Sequence, residues 1–282
     1  MKQHGLVKAI IGVSLSLMTL GVSADPLLEQ AKKLEARGQG LTKSVGLTKP
    51  VGEGEIKKAL ANFNDLTWTH ILPINNLVMI ENKDGEKILM DTEARIAIRG
   101  NVEVYDLWNK RPINTLADAK ASWLVSLDNF NIKTGDLASY KFGLDKKKPD
   151  ITIFVDPLGD YNSSLFEQMR AMAGDYAFEI ILTPLLGDAS QVEALKLWCS
   201  RDQEKSLESL MNSKPSQEKI FPTCDKNPII KGLGLAGILH FKGLPHLIRS
   251  DGLQNQGTPN NLKEFMTRST DNLGKVDVKE AK

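Results

Sequence analysis

The chain has 282 residues, with 36 lysines and arginines against 35 aspartates and glutamates, for a formal charge of +1. That balance gives no electrostatic case for nucleic acid, which proteins hold by setting clustered cations against phosphates. The length suits one large or two ordinary domains.

Lys2 and Lys8 flank the start of an apolar run, Ala9 to Val22, and Val22-Ser23-Ala24 gives way to the polar Asp25-Pro26. The pattern predicts a secretory signal peptide over residues 1–24, cut between Ala24 and Asp25. The run is too short and too poorly flanked for a membrane span. No cysteine follows the cut to carry a lipid, and no later apolar stretch could cross a bilayer, so no stable membrane anchor is expected. Loss of Lys2 and Lys8 with the leader leaves 258 residues and a formal charge of −1. An exported chain meets an oxidising compartment, where Cys199 and Cys224, its only cysteines, are more readily paired than free. Zinc is the competing reading, but two cysteines with scattered histidines lack ligand spacing, and neither a metal nor a cofactor is expected.

Residues 25–54 open with Leu27, Leu28, Ala31 and Leu34 on one helical face, followed by a glycine-rich stretch without a sustained apolar period. They predict a short helix on a flexible tether, either a partly ordered extension or a docking helix. Residues 55–112 predict a small sheet-rich module. A helix to Phe63 precedes strands over Leu77–Glu81 and Lys87–Asp91, joined at Asp84-Gly85, a strong hairpin signal. A third strand, Ala94–Tyr105, carries Ile96, Ile98, Val102 and Val104 at even spacing and is interrupted by Gly100. In the linker, 113–148, Thr115 is a plausible cap for a helix bearing Leu116, Ala119, Trp123, Leu124 and Leu127.

From 149 to 270 strands and helices alternate, which argues for an α/β domain. Expected are a strand at 151–155, a helix near 160–173, a strand at 178–183 and helices from Ala189 to Met211. A helix near 228–238, a strand pair and a closing helix follow. The polar tail 271–282 is expected to be disordered.

The segment ITIFVDPLGDYNSSLFEQM, 151–169, resembles the active-site stretch of the DsbC/DsbG family of thioredoxin-fold disulfide isomerases. There a strand end with an aspartate leads to Cys-Gly-Tyr-Cys and a helix reading Leu-x-Glu-Gln-Met. Here the tetrapeptide is Gly159-Asp160-Tyr161-Asn162, and the helix reads Leu165-Phe166-Glu167-Gln168-Met169. Leu197-Trp198-Cys199 and Cys224 stand where the family has a second, structural disulfide. Gly243-Leu244-Pro245 stands where it has Gly-Thr-Pro, Ser250-Asp251-Gly252 at a hairpin turn, and Lys263-Glu264-Phe265 in the closing helix. The resemblance implies an α+β N-terminal dimerisation domain followed by an α/β thioredoxin-like domain with a helical insertion, and hence a homodimer.

Thiol–disulfide exchange requires a thiolate, and neither Gly159 nor Asn162 supplies sulfur. The resemblance therefore implies a pseudoenzyme with no catalytic residue. Its alternative is an interchange enzyme, isomerase or reductase, that uses Cys199 and Cys224; their long spacing argues against it. In the family the residue before a cis proline offers its backbone to an extended peptide, which points to Tyr161, Leu244 and Pro245 as a peptide-binding site, or to Pro245 as a turn proline alone. Asp156, Asp160 and Asn162 are read as a polar site or, preferably, as turn and cap residues. Ser163-Ser164 lacks a nucleophile-elbow pattern. His70, His240 and His246 are read as packing or surface residues, with His246 adjoining the degenerate site, and Met169 and Met172 as core. The implied role is chaperone-like or scaffold binding of unfolded or extended clients, with secretion or conjugation machinery as candidate partners.

Overall fold

The computed structural model describes residues 66–74, 77–91, 95–100 and 102–275, all within one contact unit spanning 61–282. The signal peptide, its Ala24/Asp25 cut, the N-terminal helix and tether, the start of the sheet-rich module and residues 276–282 lie outside them.

Four strands, β1 (Leu66–Ile71), β2 (Leu77–Asn82), β3 (Lys87–Asp91) and β4 (Ala97–Arg99), form an antiparallel sheet in sequence order. The β2–β3 hairpin closes where Asp84-Gly85 predicts it. Asn82 Oδ1 accepts from the amides of Asp84 at 3.1 Å and Glu86 at 2.8 Å, and Gly85 takes φ 77°. A positive φ costs glycine little, which keeps the two-strand register tight. Met79 and Leu89 bury one face and Val78, Ile80 and Ile88 the other, as a period of two requires.

The third expected strand is much shorter. Gly100 turns the chain at φ 107°, β4 ends at Arg99, and Ile96 and Ile98 are exposed. Beyond it, β5 (Tyr105–Asp106) pairs with β6 (Arg111–Pro112) in a separate ribbon whose turn is fixed by the Asp106 carboxylate on the amides of Trp108 and Asn109. The linker helix also stops early. Thr115 and Asp118 form a capping box at the start of α1 (Leu116–Ala121), but Ser122 Oγ donates to Ala119 O at 2.7 Å, and Val125 N is taken by Gly252 O. Those competing bonds carry the chain onto the second sheet before Leu127.

That sheet begins inside the expected linker, with β7 (Ser139–Gly143). Strands β8 (Ile151–Val155), β9 (Ala177–Leu182), β10 (His246–Arg249) and β11 (Gln254–Gln256) complete the order β11-β10-β8-β9-β7, in which β8 and β9 run parallel and every other pairing is antiparallel. The central strands read as unbroken apolar runs because both faces are covered. On one face Ile151, Ile153, Val155 and Ile180 meet α2 (Asn162–Ala171), α3 (Asp188–Trp198), α4 (Gln203–Met211) and α6 (Leu262–Thr267). On the other, Phe154, Ile181 and Ile248 pack with Val125 and Leu137 of the linker and with Leu235 and Leu239 at α5 (Asn227–Ile238). No described helix is long and apolar enough to cross a membrane.

Cys199, at the end of α3, is bonded to Cys224, with 5.4 Å between their Cα atoms. Residues 271–275, the start of the expected tail, are held on β1: Gly274 O accepts from Ile71 N at 2.8 Å, and any side chain at Gly274 would collide with Trp123 and His70. Since the bridge spans 25 residues, its removal in a Cys199→Ser, Cys224→Ser protein should destabilise the fold by about 3 kcal/mol. Urea denaturation of the two proteins measures the difference.

Candidate functional site

Strand β8 ends beside Asp156, and the turn Pro157 to Tyr161 leads straight into α2. Gly159 N donates to Asp156 O at 3.0 Å and Asn162 N to Gly159 O at 3.2 Å. Asn162 is 1% exposed and closes the turn with its side chain, Nδ2 donating to Asp156 O at 2.6 Å. A Cβ at Gly159 would lie 3.2 Å from Asp156 O and 3.3 Å from Asn162 Oδ1, closer than most real contacts. A side chain at 159 would thus press on the Asp156 carbonyl and on the asparagine amide, each of which would have to give by a few tenths of an ångström. Gly159 and Asn162 are closely matched within this turn.

Asp156 is the brace behind that turn. It is 1% exposed, and its Oδ1 accepts from Leu158 N at 2.9 Å and from Ser190 Oγ, while Oδ2 accepts from Leu185 N at 2.6 Å and Leu186 N at 2.8 Å. Four donors occupy both oxygens, so this carboxylate has no free capacity for a metal or a proton relay. The polar-site reading of Asp156, Asp160 and Asn162 gives way to a structural one, with Asp160 exposed to solvent and Asn162 buried. The brace ties the turn, the loop after β9 and the first turn of α3 together. It leaves Leu158, Tyr161, Leu185 and Leu186 projecting, Tyr161 at 69% and Leu186 at 66% exposure.

The Leu244–Pro245 peptide is cis. The β10–β8 register pairs His246 with Phe154, so Leu244 and Pro245 lie just before β10 at the end of the sheet where β8 runs out to Asp156. Tyr161, Leu244 and Pro245 are therefore gathered at one end of the sheet. Pro245 O accepts from Gly257 N at 2.7 Å, and Thr258 Oγ1 donates to Tyr161 O at 2.9 Å, so the strand exit after β11 is laced to the turn. Among the described residues, nothing hydrogen-bonds to the amide or the carbonyl of half-buried Leu244. A main-chain donor and acceptor thus stand open beside the turn.

His246 does not line that opening. Its ring stacks on Phe241 at 3.9 Å, Nε2 meets Gln254 Oε1 at 3.2 Å, and burial pushes its pKa down to about 4. His70 is buried within β1, its pKa lowered by burial and by Lys120, and exposed His240 follows α5. Met169 and Met172 are core residues. Helix α3 starts at the brace and runs 11 residues, about 16 Å, to Cys199, so the one disulfide sits a helix length from the turn. Two cavities also lie elsewhere: one of about 800 Å³ at the other end of the sheet, beside Lys133, Lys148 and Thr152, the second of about 760 Å³ along the disulfide. Sequence reading missed the apolar pair Leu185-Leu186 and Ser190; a leucine pair in a loop after Thr183-Pro184 was the available signal.

No family model matches the sequence, and no curated protein does. Among solved structures the likeness is to thiol–disulfide interchange proteins. A disulfide interchange protein from Neisseria gonorrhoeae is 23% identical, with 48% of this chain and 96% of that one covered and a TM-score of 0.40. The catalytic domain of Proteus mirabilis ScsC gives 16%, 48% and 90% with a TM-score of 0.37. Helicobacter pylori DsbG gives 14%, 69% and 98% with a TM-score of 0.32.

Two outcomes follow from the local chemistry. Asp156→Asn supplies one oxygen where two are used, so it should destabilise the fold by about 2 to 4 kcal/mol despite its near-identical shape; chemical denaturation reads this. His246 titrates near 4 when folded and near 6.5 when unfolded, so the unfolded chain binds the extra proton between those values. Its contribution is complete above about pH 6.5 and is lost as pH falls toward 4, about 3 kcal/mol in all. In His246→Gln that loss should vanish from the difference between denaturation free energies at pH 7 and pH 4.5, since His70 titrates alike in both proteins.

Proposed function

We propose that this chain is a redox-inactive, DsbC-like exported protein that binds unfolded or extended polypeptide at Leu244 and Pro245. It acts as a homodimeric periplasmic chaperone or scaffold, accessory to envelope or conjugative-transfer assembly. The observation that carries the reading is the open main chain of Leu244, set beside a turn without sulfur and rimmed by Leu158, Tyr161, Leu185 and Leu186. Exposed apolar side chains supply non-directional contact, and a free donor and acceptor supply strand-like pairing, a combination that suits an extended chain of variable sequence. The N-terminal module would bring two such rims together, as the resemblance implies.

Suppression of aggregation of a chemically denatured client tests this. Leu185→Asp with Leu186→Asp puts two charges against the client and should weaken capture about tenfold, with fold stability retained because both positions are exposed. Unchanged suppression would reject the rim. In parallel, no insulin reduction is expected; turnover that disappears in Cys199→Ser would replace this reading with an interchange enzyme built on the Cys199–Cys224 pair.

A further inference from the structure

Among the described residues, strand β7 is an edge of the five-stranded sheet, paired with β9 on one side and with no strand on the other. Its ladder fixes which main-chain groups face outward. Leu182 N donates to Ala138 O and Leu144 N to Tyr176 O. By antiparallel alternation, residues 138, 140, 142 and 144 direct their amides and carbonyls at β9, while Ser139 and Lys141 direct theirs away. No described residue bonds to the main chain of either. Two donors and two acceptors thus stand free at the spacing a neighbouring strand would need.

This edge forms one side of the cavity of about 760 Å³ beside the disulfide. The facing wall carries Trp198, Leu207, Phe221 and Pro228 together with both bridged cysteines. It is well braced: Trp198 Nε1 donates to Asp225 O at 2.9 Å, the Arg201 guanidinium lies 4.5 Å over the Phe221 ring, and the Cys199–Cys224 bond holds the two halves of the wall. Exposed strand edges invite pairing and are usually blunted by proline, charge or a covering element. The β7 edge carries one such charge, the exposed Lys141, yet no described element covers it and it borders a cleft walled by Trp198, Leu207, Phe221 and Pro228.

We propose that the β7 edge and this cleft bind an extended polypeptide segment by strand addition, its main chain pairing with Ser139 and Lys141 and an apolar side chain entering against Trp198, Leu207 and Phe221. Main-chain bonds give the affinity and the cleft selects the side chain. The site is independent of Leu244. In the sheet, β8 and β9 stand between β10 and β7, so the two openings are three strand spacings apart, about 14 Å.

The probe is a short peptide of alternating threonine and leucine with a central benzophenone, photo-cross-linked to the full chain and mapped by mass spectrometry. Labelling is expected on segments 198–207 and 221–228. It should fall about tenfold in Lys141→Pro, which removes an outward amide and leaves the ladder to β9 intact, and severalfold in Phe221→Ala. A probe N-methylated on the amides of its pairing edge should fail on the wild-type chain, a control that needs no variant to fold. Labelling that survives both Lys141→Pro and probe methylation overturns the proposal. So does labelling confined to 158–161 and 185–186. Self-association in sedimentation that Lys141→Pro dissociates would also overturn it, since a second copy of the chain would then occupy the edge.

Discussion

One buried carboxylate holds the candidate site in place. Asp156 gathers three amides and a serine hydroxyl from the turn after β8, the loop after β9 and the first turn of α3. An isolated charge in that position would be costly, because burial strips its water. With both oxygens saturated, the same charge becomes a rigid joint. Remove it and three amides are left unsatisfied, and the loops that bear Leu158, Leu185 and Leu186 lose the bond that sets their direction. The apolar rim is thus a consequence of a polar contact beneath it.

The turn above the brace is kept by asparagine. Asn162 Nδ2 on Asp156 O closes the stretch between β8 and α2, and its amide occupies the volume beside Gly159. A side chain at 159 would press on both Asp156 O and the asparagine amide, so Gly159 and Asn162 are closely matched. What remains is a shaped turn, a half-buried Leu244 with an unpaired main chain, and a ring of exposed apolar groups.

Local signals were legible. Asp84-Gly85 fixed a hairpin whose strands fall at Leu77–Asn82 and Lys87–Asp91, and the apolar run at 151–155 became β8 because a strand covered on both faces needs no polar alternation. Other features depended on partners far along the chain. The helix after Thr115 looks long until Val125 N meets Gly252 O, 127 residues away. β7 was hidden because Ser139–Gly143 is an edge strand with Tyr140 buried and Lys141 exposed, too short to stand out from a linker. Asp156 was visible only as a turn residue, since its partners at Leu185, Leu186 and Ser190 lie 29, 30 and 34 positions on. The opening at Leu244 could not be read at all, because an unpaired amide is a property of the packed fold.

Amide hydrogen exchange resolved to single residues tests the central claim most directly, with the free protein compared with protein saturated by an extended client. The brace predicts strong protection of Leu185 and Leu186 in both states, and the open main chain predicts fast exchange at Leu244 that slows when client is bound. A Leu244 amide protected in the free protein, or indifferent to client, would contradict the account. So would rapid exchange at Leu185 and Leu186, which would mean that Asp156 does not hold the rim.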